Sequence, residues 1–408
     1  MTQQGGHGPG RSGRRLGRVG VVTLTAVLLL SAVWLAVTAV MANSQLRQVR
    51  ADAHNLGAQI SASNWTAARA TSADLAQHAH RADQLTSGPV WALAAALPAG
   101  GEPLKTVRGI TAGADALGRD ALPKLVNTAQ RLNPRTLRRP DGSIDVARIA
   151  AVAPAVASAS ASVASTTASV AALPHHTWLS PVDTAYADAL SQVTALDETL
   201  RSAEHAVKIV PPMLGQNGPK RYFLAFQNEA EARGTGGLPG AFAIVEADHG
   251  KVAFTRMESD RTLAGISGNV DLGPDYRDLY DGAGTTTLYA NGNLSPNFPY
   301  PAQIWASMWK AYSGQQVDGV IAVDPTALSY LLSVTGPATL PDDSHLSGAN
   351  AVSLTQAASY AKFPGTSEAE VARRQAYLLE IASAAGKKIL GRLVSGRFRP
   401  LNSGQALS

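Results

Sequence analysis

One glycine-rich segment carries an arginine in a pattern that suits a phosphate group. Residues 227–240 read QNEAEARGTGGLPG and hold Arg233 among four glycines. Backbone N–H groups approach an anion closely where no Cβ intervenes, and an arginine binds it through two parallel N–H bonds. We therefore expect a loop that contains Asn228, Gly236 and Gly237 and binds an anion. An ordinary glycine-rich connection explains the same pattern, and the glycine spacing fits neither a Walker loop nor a dinucleotide fingerprint.

Two further clusters place charged side chains near the ends of predicted elements. Asp260 and Arg261 follow the third predicted strand, and Lys362 precedes a helix that carries Arg374 and Gln375. Adjacent cations on an amphipathic helix are also typical of a solvated face, so this interpretation stays open beside a binding role.

Composition excludes several kinds of chemistry. The chain of 408 residues has no cysteine, which excludes a disulfide framework, a thiolate zinc site, an iron–sulfur cluster and a cysteine nucleophile. Gly265 to Gly268 lacks the spacing of a serine-hydrolase nucleophile elbow. The net charge is +5, and most of that excess comes from four arginines in residues 1–18. The remainder is nearly balanced, so we expect no nucleic-acid partner.

The residues from Val19 to Ala42 form one long run without a charged side chain. As a helix with a rise of about 1.5 Å per residue, this run is long enough to span a hydrocarbon core of about 30 Å. The preceding arginines place the N-terminus in the cytoplasm by the positive-inside rule. We expect a single-pass cell-membrane protein with the bulk of the chain extracytoplasmic. A cleaved signal peptide ending at Ala42 is the alternative, although signal peptides usually have a shorter apolar region.

The remaining sequence divides into two parts of different composition and periodicity. Residues 43–210 are rich in alanine and predict a helical stalk or bundle, with helices at about 44–86, 104–132, 144–173 and 181–208. Residues 211–408 predict strands at 221–226, 241–246, 251–257 and 319–323, interspersed with helices. We therefore expect an α+β (α/β-like) protein with a basic tail at 1–18, a transmembrane helix, the stalk and a mixed domain.

The mixed domain resembles the bacterial envelope proteins of the domain of unknown function 4012 family. The motifs that carry the resemblance include EARGTGGLPG at 231–240, NLSPNFP at 293–299 and DGVIAVDPTAL at 318–328, together with Gly336-Pro337 and the helix around Arg374. The family name brings no assigned activity.

The order of elements is also distantly similar to the LytR–CpsA–Psr family, whose members are membrane-anchored glycopolymer transferases. That resemblance implies a related fold and a polyprenyl-pyrophosphate-linked glycan as ligand. It further implies that a set of cationic and amide side chains lines the pyrophosphate site. The residues of this chain at those positions are Arg233, Arg261, Lys362, Arg374 and Gln375.

The chain departs from that family where magnesium would bind. The two positions that are aspartates in the family are Asn228 and Thr235 here, so the expected hard-cation ligands are absent. Glu229, Glu231 and Asp260 are the carboxylates that could replace them, and Asp260 is the candidate metal ligand. The chain also stops soon after the last helix where members of the family usually continue, which predicts either a short member or a fragment.

Three functions fit these observations. The first is a transferase or binding protein for polyprenyl-linked glycopolymers, and the second is a non-catalytic envelope scaffold that acts through the helical stalk. The third is a phosphatase-like activity that uses the same cationic site with water as the acceptor. The resemblance assigns neither the glycan nor the acceptor.

Overall fold

The apolar run that begins at Val19 folds as part of one long helix, α1, which spans Ser12–Ser61. The computed structural model describes residues 12–98, 100–133 and 136–395. Residues 1–11 of the predicted basic tail and residues 396–408 lie outside this description. Between Val22 and Met41 most side chains of α1 are exposed. The length and hydropathy of this helix are sufficient for it to cross a membrane.

The alanine-rich part of the chain is helical. Its helices are α2 (Trp65–Thr86), α3 (Pro89–Ala95), α4 (Glu102–Ala116), α5 (Leu122–Arg131), α6 (Val146–Ala171) and α7 (Ser180–Met213). A π-helical turn at Leu117–Ala121 joins α4 to α5. Small side chains let these helices pack closely, as where Ala121 and Ala159 are buried together with Leu200. The helix α6 also has the length and hydropathy of a membrane span, but more than a third of its apolar window is buried in the protein.

Two helix boundaries differ from the sequence-based expectation. The helix predicted over 44–86 is interrupted, because Ser63 has a left-handed backbone and the Asn64 side chain accepts a hydrogen bond from the Ala67 amide at 3.3 Å. Asparagine satisfies one of the free amides at a helix start, so α2 begins after it. The helix predicted at 181–208 continues through Pro211 and Pro212, and α7 ends at Met213.

One sheet organises the second half of the chain. Its strands are β1 (Lys220–Arg233), β2 (Gly236–Asp248), β3 (Lys251–Ser259) and β4 (Gly319–Val323), in the order β3-β2-β1-β4. The strand β1 pairs antiparallel with β2 and parallel with β4. The carboxyl ends of β1 and β4 therefore meet at the same edge of the sheet. Two short strands, β5 (Ala338–Thr339) and β6 (His345–Leu346), pair separately.

Helices and turns cover and extend this sheet. They are α8 (Pro274–Tyr280), α9 (Pro299–Ser313), α10 (Pro325–Thr335), α11 (Ala351–Ser353), α12 (Ser359–Lys362) and α13 (Glu368–Ser395). A 3₁₀ turn, Asp260–Leu263, follows β3, and a π-helical turn, Leu354–Ala358, joins α11 to α12. The described chain is thus mixed helix and sheet, 65% helical, which confirms the predicted α+β class.

Aromatic side chains form the core between the sheet and α9. Phe223 of β1 and Phe242 of β2 stack with ring centroids 4.9 Å apart. Trp305 and Trp309 of α9 and Tyr289 pack against them, and all five side chains are buried. Alternate residues of β1 enter this core, as period-two burial requires. The core holds β1 and β2 rigid up to the edge where polar residues gather.

The chain divides into two compact units. The helical unit comprises Met1–Asn133 and Ala151–Val207, and the mixed unit comprises Pro134–Ala150 and Lys208–Ser408.

Candidate functional site

The segment predicted as a phosphate-binding loop is a β-hairpin with a large bulge. Asn228 pairs with Leu238 and Ala232 pairs with Gly237, so residues 229–231 of β1 have no counterpart in β2. Asn228, Gly236 and Gly237 therefore lie in strands, and the predicted loop is wrong. The strand continues because β2 supplies backbone partners as far as the turn at residues 234–235.

The structure explains why two positions of this hairpin are glycine. A Cβ on Gly237 would overlap the backbone carbonyl of Asn228, so the bulge can fold over β2 only if residue 237 has no side chain. Gly236 has a φ of 125°, a backbone conformation that other residues rarely adopt. The glycine pattern is thus explained by the hairpin itself.

A π-helical turn, Leu354–Ala358, contacts the bulge. Asn228 donates from Nδ2 to the Thr355 carbonyl at 3.3 Å, and Gln356 donates to Glu229 Oε2 at 2.8 Å. Strand bulges and π-helical turns are both irregularities that recur at functional sites. Their meeting identifies this edge of the sheet as the strongest candidate for a site in the mixed unit.

Tyr360 links the bulge to α13. Its hydroxyl donates to Glu231 Oε1 at 2.9 Å. Burial, followed by this hydrogen bond, raises the pKa of Tyr360 to about 12, so it remains a neutral donor at physiological pH. The Arg374 guanidinium lies 4.3 Å from the centre of the Tyr360 ring and donates to the Phe363 carbonyl at 3.2 Å. These two contacts fix the orientation of Arg374.

Gln375 joins α13 to the turn after β3. Its Nε2 donates to Asp260 Oδ2 at 3.0 Å, and its Oε1 accepts from Arg261 Nε at 3.0 Å. Burial raises the pKa of Asp260 to about 6, an effect that Arg261 partly offsets and the nearby Glu231 increases. Glu231 also interacts electrostatically with Asp260, so the contacts of Gln375 and the contacts of Tyr360 form one connected set. We call the resulting set the Gln375 network: Asn228, Glu231, Asp260, Arg261, Tyr360, Arg374 and Gln375.

The structure groups some of the predicted site residues and separates others. Arg261 and Gln375 form one network with Asp260, although β3 and α13 are far apart in sequence. Arg374 joins it through the Tyr360 ring, and Asn228 Nδ2 donates to the Tyr360 hydroxyl at 3.5 Å.

Arg233 lies two residues beyond Glu231 in β1. It donates to the Ala232 carbonyl at 2.9 Å, and its Nε is buried without a hydrogen-bond partner among the described residues.

Lys362 lies apart from the Gln375 network. Its Nζ pairs with Asp342 Oδ2 at 3.4 Å and lies 4.4 Å from the centre of the Tyr377 ring. These residues line an open cavity of about 390 Å³ together with Arg373 and Glu380. Successive residues of an α-helix are about 100° apart, so Arg373 and Gln375 lie on nearly opposite sides of α13. Lys362 thus belongs to a cavity of mixed charge on another side of this helix.

The side chains at the family's magnesium positions do not fit a hard-cation site. Asn228 uses its amide nitrogen on Thr355 and its oxygen on the Ala230 amide, and Thr235 accepts a hydrogen bond from Gln227. Among the described residues, no group of three histidines or carboxylates is close enough to hold a metal ion. These two side chains therefore do not supply the ligands of a hard cation.

Sequence reasoning missed the bulge and Tyr289. The signal for the bulge is the acidic stretch at Glu229 to Glu231, which breaks the alternation of the strand. The Tyr289 hydroxyl is buried without a partner among the described residues, and burial followed by the Asp260 charge raises its pKa well above the usual value. No local pattern distinguishes it from an ordinary core tyrosine.

Part of the mixed unit matches a known protein family. Residues 217–360 match the family described as protein of unknown function (DUF4012), which supports the predicted resemblance for that segment. The match contains the sheet, the bulge and Tyr360 but ends before α13. No curated protein and no solved structure matches the chain. The comparisons give no support for similarity to the LytR–CpsA–Psr transferases.

Proposed function

We propose that this protein is anchored in the cell membrane by the apolar part of α1 and acts outside the cytoplasm in glycopolymer assembly. In this proposal the mixed unit binds a polyprenyl-(pyro)phosphate-linked glycan at the Gln375 network. The observation that supports it is that two arginines are linked to the β1 bulge from different sides. Arg374 is linked through Tyr360, which donates to Glu231. Arg261 is linked through Gln375 and Asp260, and Asp260 interacts electrostatically with Glu231. A membrane anchor suits such a ligand because a lipid-linked glycan stays in the bilayer.

The guanidinium groups of Arg261 and Arg374 are suited to binding an anion. Stacking on Tyr360 holds the planar fork of Arg374 in one orientation, which reduces the entropy lost when a ligand binds. Arg261 uses its Nε on Gln375, while its Nη1 lies 3.9 Å from Glu368 Oε1, too far for a hydrogen bond. Its guanidinium therefore retains donors for a phosphate. Arg233 is a further cation, at the end of β1 beyond the bulge.

These residues are better suited to binding the lipid-linked glycan than to catalysing its transfer. Phosphoryl transfer relies on fixed positive charge, usually with a metal ion, and the family's magnesium positions do not fit one here. The glycines at 236 and 237 are explained by the backbone geometry of the hairpin, so they are not evidence for a phosphate-binding loop.

A non-catalytic scaffold that acts through the helical unit is the second candidate. It is favoured by one observation, which is that Arg261 and Arg374 already have partners within the protein. In this alternative the network stabilises the mixed unit and binds nothing.

Binding of a short-chain polyprenyl pyrophosphate to the full-length protein in detergent separates the two candidates. We expect saturable binding by the wild-type protein, with and without magnesium. Because one charge-assisted hydrogen bond is worth about 1.5–3 kcal/mol, the double variant Arg261→Ala/Arg374→Ala should weaken binding at least tenfold. Inorganic pyrophosphate as a second ligand distinguishes recognition of the headgroup from recognition of the chain.

Two variants serve as controls for this measurement. Arg277→Ala removes an exposed arginine that pairs with Asp271 outside the network, and Lys362→Ala removes the predicted residue that lies apart from it. Both should bind like the wild type. Equal affinity in the double variant, or no saturable binding by the folded wild-type protein, would contradict the binding site and favour the scaffold.

A further inference from the structure

The long helix α1 changes character near Thr38. Its side chains at Val37, Val40 and Met41 are exposed and apolar, whereas Ala42 is fully buried. One turn further, Leu46 packs into a cluster with Ile110, Val170 and Tyr186 of the helical unit. The helical unit therefore begins at the level where the apolar part of α1 ends.

The short helix α3 is attached to α1 within the predicted membrane span. Trp91 is 1% exposed, and its indole Nε1 donates to Thr38 Oγ1 at 2.9 Å. Thr38 lies four residues before Ala42, which corresponds to about 6 Å along the helix. The neighbours of Trp91 point outwards: Leu93 is 74% exposed and Leu97 is also exposed.

A second segment joins α3 at the same end of the helical unit. Trp178 is 69% exposed, and its indole donates to the Gly100 carbonyl at 3.1 Å. Thr106 donates to the Pro174 carbonyl at 2.6 Å, which ties α4 to the same segment. Two stretches far apart in sequence thus present one apolar surface. We call it the bundle-end patch: Leu93, Leu97, Trp178 and Leu179.

The composition of these stretches fits the boundary of a lipid bilayer. Residues 85–101 and 172–182 contain no aspartate, glutamate, lysine or arginine. Tryptophan, with an apolar ring and one polar N–H, is enriched where headgroups meet acyl chains. Exposed leucines beside it are costly in water but favourable at that depth.

We propose that the bundle-end patch lies in the outer membrane–water interface, so that the helical unit rests on the bilayer. The occupant is lipid because the buried contact of Trp91 with Thr38 holds α3, and with it Leu93, beside the exposed apolar part of α1. This inference rests on the membrane anchoring in the proposed function and is independent of the ligand of the mixed unit. A protein attached in this way cannot swing freely about α1.

Single cysteines test the depth of the patch, because the native chain has none. Three variants of the full-length protein each carry one substitution, Leu93→Cys, Leu97→Cys or Leu179→Cys. Each variant is labelled at its cysteine with a small fluorophore and reconstituted into phosphatidylcholine vesicles. Nitroxides placed in the headgroup region or deep in the acyl chains then quench the label according to depth. Val27→Cys reports insertion of α1, and Ala62→Cys lies about 35 Å further along the helix than Thr38 and serves as the exposed control.

Each pattern of quenching has one meaning. Strong quenching at positions 93, 97 and 179 by shallow nitroxides, with deep quenching at 27 and little at 62, supports the proposal. Deep quenching at 27 with positions 93, 97 and 179 behaving like 62 overturns it while leaving the anchor intact. Absence of quenching at 27 overturns both the anchor and this inference. Ligand binding by the mixed unit does not enter the readout.

Discussion

Asp260 is a largely buried acid whose pKa differs strongly from its value in water. One carboxylate oxygen accepts from Gln375, and the other is buried without a partner among the described residues. Burial raises its pKa to about 6, above the ordinary value of about 3.9. The folded protein therefore binds this proton more tightly than the unfolded chain does. Its contribution to stability is full below pH 4 and is lost as the pH rises through 6.

Asp260→Asn should stabilise the protein at neutral pH. Asparagine has no charge to bury and still offers an oxygen to Gln375 Nε2. We expect the free energy of unfolding to rise by about 1–3 kcal/mol at pH 7.5, and the gain to vanish near pH 4. Denaturant unfolding at pH 4, 5.5 and 7.5 measures this. Asp278→Asn changes an exposed acid and serves as the control. A gain that is independent of pH would contradict the assignment.

The β1–β2 hairpin is the element on which the candidate site depends. Its bulge carries Glu229 and Glu231 to the π-helical turn and to Tyr360, and it forms only because Gly237 leaves room for the Asn228 backbone. A side chain at residue 237 must push the two strands apart or change the register of the hairpin.

Two glycines of β2 make a matched pair for testing this. Gly237→Ala should lower the free energy of unfolding by about 1–3 kcal/mol, because overpacking forces the backbone to move. Gly240→Ala adds the same methyl group in the same strand where nothing lies within 4 Å. It should change stability by less than about 1 kcal/mol. Denaturant unfolding compares the two, and similar effects would show that the bulge does not depend on residue 237.

Elements with strong local signals were predictable from the sequence. The strand β4 has the predicted bounds, Gly319–Val323, because a short apolar run is flanked by turn residues. The acidic stretch at 229–231 breaks the alternation of β1, but the end of a strand gives the same signal, so the sequence alone does not distinguish the bulge from a strand end. The contact of Arg261 with Gln375 has no local signal either, since it depends on how α13 packs against the sheet. Burial of Asp260 follows from the same packing, so its raised pKa is a property of the fold.

At the scale of the whole molecule, α1 combines two kinds of helix. Its first part is exposed and apolar, and from Leu46 to Ile60 it packs against the helical unit. Because the helix is continuous, its apolar part has little freedom to move relative to the rest of the helical unit. A cleaved signal peptide would remove the part of α1 to which Trp91 is bonded, so this contact favours an uncleaved anchor.

The orientation of the chain gives the last prediction. Arginines precede the apolar run, so the positive-inside rule predicts that residue 2 is cytoplasmic and that residues 62 and 316 are outside. Thr2→Cys, Ala62→Cys and Gln316→Cys each add the only cysteine to the full-length protein. A membrane-impermeant maleimide should label the last two in intact cells and the first only after lysis. Labelling of all three in intact cells would contradict the anchor, and loss of residue 2 from the mature protein would indicate cleavage.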